Sequence, residues 1–147
     1  MSVEAAKHAR ELLLKEYRGV LSTHSKAMPG FPFGSVVPYC LDAQGWPLIL
    51  ISRIAQHTHN LQKDPKCSLF VGERGAEDVQ AVGRLTYLAE AQQLEDEADI
   101  EAAAERYYAI SRNHRTITRP MISISGCSSL CAIVTSAGLA PFTGSTN

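Results

Sequence analysis

The spacing of apolar and polar residues changes period several times along the chain, and each change marks an element. Ala5, Ala9, Leu12, Leu13 and Tyr17 recur at helical spacing over residues 2 to about 17. Ser2 suits the N-cap and Gly19 lies just past the end, so a helix covering one sheet face is predicted there. Residues 19–23 read as a short apolar strand. Residues 28–33 form a Pro/Gly-rich loop whose two prolines fix φ and whose Gly30 is unrestricted, which places the loop over a site or an interface. The β-rich runs 35–41 and 47–52 are joined through Asp42-Ala43-Gln44-Gly45, with Asp early and Gly late, and so predict a hairpin. A helical run at 54–62 carries Ile54 and Leu61 and stops at Asp64-Pro65. Strands follow at 67–71 and 81–91, then an amphipathic helix at 94–108. Five or so strands with helices at their flanks define an α+β fold, a small antiparallel barrel, because the crossovers are too short for repeated βαβ units.

Composition narrows the function classes. With 147 residues and 45% hydrophobic content the chain supports one ordinary core. A formal charge of −1 gives no basic field, which argues against a nucleic-acid partner, and Glu95, Asp96, Glu97 and Asp99 read as a solvated helix face. No apolar run has the length of a membrane span, and the charged N-terminus lacks the apolar centre of a signal peptide, so a cytoplasmic location and no membrane partner are expected. Cys40, Cys67, Cys127 and Cys131 lack zinc-type spacing and are read as reduced thiols, with no metal assigned.

The segments PGFPFGSVVPY and LILISRIAQHTHNLQKDPKCSLFV place loop, strand, helix and Asp-Pro stop in a particular order. That order resembles the FMN-binding split barrel of the pyridoxamine 5′-phosphate oxidase-like superfamily, and within it the heme-utilisation branch. The resemblance spans about residues 6–108. It implies a split β-barrel and a homodimer with two flavin sites at the subunit interface. The phosphate would be held after the second hairpin strand and the ring would lie along the first.

A flavin phosphate needs donors converging on a dianion, and Ser52, Arg53, His57 and Thr58 supply two hydroxyls, a guanidinium and an imidazole around a helix start. By family position residues 34–39, with Ser35, Val36 and Val37 as the lining, would run beside the ring. One departure is visible: oxidase members tend to carry Arg or Lys where this chain has Gln56 and His57. No catalytic residue is assigned. The helix carboxylates cannot face a common cleft, Ser123, Ser125, Ser128 and Ser129 lack a nucleophile elbow, and the Cys127/Cys131 spacing fits no redox pair.

Three functions follow as expectations. The first is an FMN-dependent oxidoreductase, the second a heme-binding or heme-utilisation protein on the same scaffold, and the third a dimeric binding module without turnover. Heme would need a histidine or similar axial ligand. His8 and His24 lack a partner at ligand spacing, His114 sits in no comparable motif, and the family's tail histidine is the natural candidate.

The tail sets a boundary. Residues 109–147 contain no acidic residue and no sustained period after the helix, so the chain divides into a flavin-binding region at 1–108 and an atypical tail at 109–147. Back-translated with permitted codons and read from the third base, residues 135–147 give IGGFGAIHWFN, which resembles the family's closing strand. A reading-frame shift near Tyr108 is therefore expected, leaving the barrel edge open. The alternative is a divergent tail with Ile122, Ile124, Ile133 and Val134 in strands.

Overall fold

Alternation within the strands dictates how the sheet curls. In the computed structural model, residues 3–74, 83–110, 121–126, 132–135 and 138–141 are described. Helix α1 (Val3–Lys15) leads into β1 (Arg18–His24), β2 (Pro32–Leu41) and β3 (Pro47–Leu50). Helix α2 (Gln56–Lys63) then precedes β4 (Lys66–Gly72) and β5 (Arg84–Gln93), and α3 (Glu97–Ile110) precedes β6 (Met121–Gly126), β7 (Ala132–Thr135) and β8 (Gly138–Pro141). The expected N-cap Ser2 lies outside the described residues.

The strands run in the order β4-β1-β2-β3-β6-β5-β7-β8, and β4 also pairs with β5. Six strands thus return on themselves through antiparallel pairs, which removes their free edges, while β7 and β8 continue outward from β5. The expected α+β class and antiparallel split barrel with flanking helices are what the chain forms.

The barrel interior takes one side of each strand. Leu21, Ile49, Leu69 and Val71 are wholly buried there, with Val37, Tyr39, Leu85, Ala89 and Ile122 around them. A second, smaller cluster lies outside the barrel wall, where α3 sets Ala103 and Tyr107 against Cys40 and Leu48. The 42–45 turn forms as expected: Asp42 Oδ1 accepts from the Gln44 and Trp46 amides at 2.8 and 2.9 Å, and Gly45 has φ +86°.

Two helices begin later than their apolar pattern suggested. The start of α3 is fixed by Asp96, whose Oδ1 accepts from the Ala98 amide at 2.8 Å, and the helix runs on through Ala109 and Ile110. The start of α2 is fixed by Ala55, which holds an extended backbone at the N-cap, leaving Ile54 in the preceding turn. The open barrel edge expected from the tail is corrected. β6 pairs with β3 through Leu48, Ile49 and Leu50 and with β5 from Ala89 to Gln93, because MISIS supplies a strand whose Ile122 enters the core.

Candidate functional site

Two features of the barrel wall meet near the first hairpin: the start of α2 and an uncovered sheet face. Thr58 is buried and its hydroxyl donates to the Ser52 carbonyl, so the turn between β3 and α2 is closed by a side chain. Arg53 and Ile54 sit exposed on that turn. No side chain caps the helix at Ala55, and its first turn has no acidic residue. His57 has an Nε2 atom enclosed without a hydrogen-bond partner, and burial lowers its pKa below the ordinary imidazole value. The helix start therefore offers the helix dipole, an exposed guanidinium and an unpaired ring nitrogen, a donor set that fits an anion.

Asn60 anchors this helix from beneath. Fully buried, it donates from Nδ2 to Thr23 Oγ1 at 3.0 Å and accepts at Oδ1 from the Lys26 amide at 2.8 Å. The loop between β1 and β2 is thereby tied to α2, and it displays Met28 and Phe31 to solvent.

Strand alternation separates the other expected residues. Val36 is 73% exposed on the outer face, whereas Val37 is in the core and Ser35, opposite Leu21, shares its side. Val36 pairs with Val20 on β1, and Val20 pairs with Phe70 on β4, itself opposite Thr86 of β5. A parallel row runs Gly34, Ser22, Ser68 and Leu88 across the same strands. Val36 and Phe70 stay exposed because α3 covers the wall farther along, at Cys40 and Leu48. The result is a broad outer surface, apolar from Val36 to Phe70 in one row and small-residued from Gly34 to Ser68 in the next.

Val20, Ser22 and Phe70 were not singled out by the sequence. Their alternation within β1 and β4 is visible in RGVLSTH and KCSLFVG, but the register that brings three strands into line is not local information. The polar cluster at the end of α1 was equally invisible. Glu16 is buried and accepts from Arg74 Nε at 2.6 Å, while Arg74 also reaches the Tyr17 hydroxyl at 2.7 Å. Tyr39 donates to the Leu13 carbonyl at 2.8 Å, and burial, with Glu16 nearby, pushes its phenol well above the ordinary value.

The sequence pattern of the pyridoxamine 5′-phosphate oxidase family matches residues 5–124, and the chain belongs to that family. The chain is also similar to the chloroplastic non-canonical heme oxygenase HOZ of Arabidopsis thaliana, at 45% identity over 60 residues, which is 41% of this chain and 18% of that protein. The chain therefore matches only a small part of the length of this relative. Among solved structures, the heme storage protein HutZ of Vibrio cholerae superposes with a TM-score of 0.65 at 25% identity, covering 86% of this chain and 92% of that one. A heme binding protein of Mycobacterium smegmatis shares the fold with a TM-score of 0.78 at 24% identity, covering 98% of this chain and 60% of that one.

Proposed function

We propose that this chain is a heme-binding protein of the heme-utilisation type, working as a homodimer. The observation that carries the reading is the uncovered outer face, where Val36, Val20 and Phe70 offer a flat apolar floor across three strands. A planar macrocycle removes that surface from water more fully than a small polar metabolite does. The ligand class comes from relatives named for heme: the Arabidopsis heme oxygenase and the Vibrio heme storage protein. Bound heme would supply an iron centre with redox and oxygen chemistry; the described residues supply the floor, the orientation and the exclusion of water.

A second reading, an FMN site, is favoured by one observation. The unpaired His57 Nε2 lies at a helix start that also carries Ser52 and an exposed Arg53, and these groups fit a phosphate dianion. Thr58 would serve through the turn it closes with Ser52. Ser35 and Val37 would act from the inner face by shaping β2, with Val36 alone of the three against the ring. An FMN-dependent oxidoreductase would follow from this reading. Among the described residues no helix is long and apolar enough to cross a membrane.

Absorption spectra of the purified protein titrated with hemin and, separately, with FMN test both readings. A saturable Soret shift without a retained flavin band is expected. A flavin band that is lost in Arg53→Ala, with no Soret shift, overturns the heme reading in favour of the second. Size-exclusion chromatography with light scattering tests the dimer.

A further inference from the structure

The outer face carries two cations toward one end, Arg18 on β1 and Arg84 on β5. β1 turns Arg18, Val20, Ser22 and His24 outward, alternating with buried Gly19, Leu21 and Thr23. On β5, Arg84 stands opposite Gly72 of β4. Gly72 lies two residues beyond Phe70, as Arg18 lies two residues from Val20, and Val20 and Phe70 are register partners. The β1–β4 pairing ends at Val20 and Phe70, and two residues beyond it on the same face lie Arg18 on β1 and Gly72 on β4, the latter opposite Arg84 of β5.

Gly72 sets no side chain beside Arg84. A side chain at Gly72 would meet the Phe70 ring at 3.5 Å, so that ring leans toward Gly72 and the Arg84 end of the face. Among the described residues neither arginine side chain is in an ion pair or a hydrogen bond, and Arg84 Nε is enclosed without an acceptor. Arg84 is half-buried, and its enclosed N–H without a partner is an unmet demand for an acceptor. The adjacent row, Val36, Val20 and Phe70, is apolar. The surface thus presents a flat apolar field with two cations along one border.

We propose that Arg18 and Arg84 form a carboxylate clamp that takes the two acid arms of a planar dicarboxylate macrocycle lying on Val36, Val20 and Phe70. This rests on the heme reading and adds to it a location, an in-plane orientation and a specificity. A guanidinium matches a carboxylate in planar two-point geometry, and two of them on one border match a ring whose two acids lie on one edge. The border fixes how the ring is turned; the floor holds its apolar body.

The test compares hemin with hemin dimethyl ester, which keeps the ring and iron but removes both charges. Soret titrations would be run on the full chain and on Arg18→Gln, Arg84→Gln and the double variant, with thermal melts to confirm folding. The clamp predicts that the unaltered chain prefers hemin to the ester by about tenfold or more, the scale of one charged hydrogen-bonded contact. Each variant should lose about tenfold for hemin and nothing for the ester. Arg18 is exposed, so Arg18→Gln keeps the proposal testable if Arg84→Gln fails to fold. Equal losses for both ligands, or no loss for hemin, overturn the clamp while leaving heme binding intact. Absence of any Soret shift in the unaltered chain overturns the heme reading itself. Val36→Asp adds a further control. If it splits a dimer into monomers with hemin affinity unchanged, the face belongs to a second copy and the clamp is wrong.

Discussion

Arg74 Nε lies 2.6 Å from Glu16 Oε2, and the same guanidinium stacks over the Tyr17 ring at 4.3 Å from its centroid. The pair joins the end of α1 to the residues just after β4, 58 positions away in sequence. Glu16 is the buried partner and Arg74 the exposed one. Removing Arg74 therefore strands a carboxylate inside the protein, whereas removing both leaves no charge to desolvate. Arg74→Met should lower Tm by several degrees, and Glu16→Gln combined with Arg74→Met should recover most of the loss. Additive losses in that double-mutant cycle would show that the two residues do not act as a pair.

Asn60 predicts a different kind of failure. Its side chain meets Thr23, the Lys26 amide and Gln56 Nε2, so a nonpolar replacement takes a partner from β1, from the loop and from α2 at once. Asn60→Leu should cost about 1–3 kcal/mol for the stranded groups. It should also free the 25–31 loop, read as faster amide exchange at Lys26. Unchanged exchange there would mean that the loop is held by its own bonds, Met28 amide to Ser25 Oγ and Ser25 amide to the Phe31 carbonyl.

Much of the barrel was legible because its signals are local. Asp42 and Gly45 mark the turn that forms, RGVLSTH alternates as its burial does, and Asp64 stops α2 where the Asp-Pro pair suggested. The site was less so. Ser35, Val36 and Val37 were grouped as one lining, yet a strand sends consecutive side chains to opposite faces, and only Val36 stays exposed. The row Val36, Val20 and Phe70 depends on two strand registers, which depend in turn on the whole core. Arg74 and Glu16 meet across 58 residues with no periodicity to announce them.

Gly19 tests the closeness of β1 and β4. A Cβ built there would stand 2.6 Å from the Phe70 carbonyl and 2.9 Å from Leu69 Cδ1. Backbone cannot yield as a flexible side-chain tip does, so Gly19→Ala should destabilise by about 1–3 kcal/mol. Gly34→Ala should be milder, since its Cβ meets only Val20 Cγ1, at 3.4 Å. Urea unfolding of the two variants checks the order, and a Gly34 effect equal to that of Gly19 would contradict it.

His57 predicts a pH dependence with a definite sign. Burial lowers its folded-state pKa, so the folded protein takes up this proton less readily than the unfolded chain. Its contribution to stability is complete above the unfolded value of about 6.5 and is lost as pH falls through that value toward the folded one. The urea midpoint should therefore fall between pH 7.5 and 5.5, and by less in His57→Gln. Equal falls in both proteins would assign the acid sensitivity to other groups. An anion at the helix start should oppose the effect, because it favours the charged imidazole.

The tail has two origins with separable consequences. In this chain β6 closes the barrel, and Ile122 is buried opposite the wholly buried Ile49. Ile122→Ala should cost about 2–5 kcal/mol if that strand carries a share of the core. A frame shift near Tyr108 predicts something further: the gene's codons for residues 135–147 read from the third base as IGGFGAIHWFN. The chain restored to that frame should melt higher than the present one, because an intact closing strand would replace one assembled from shifted codons. It should also regain a tail histidine for axial ligation, seen as a sharpened Soret band with hemin. Sequencing the gene decides first, since codons at 135–142 that exclude the alternative reading would end the frame-shift idea and leave Ile122 as part of a genuine, divergent closing strand.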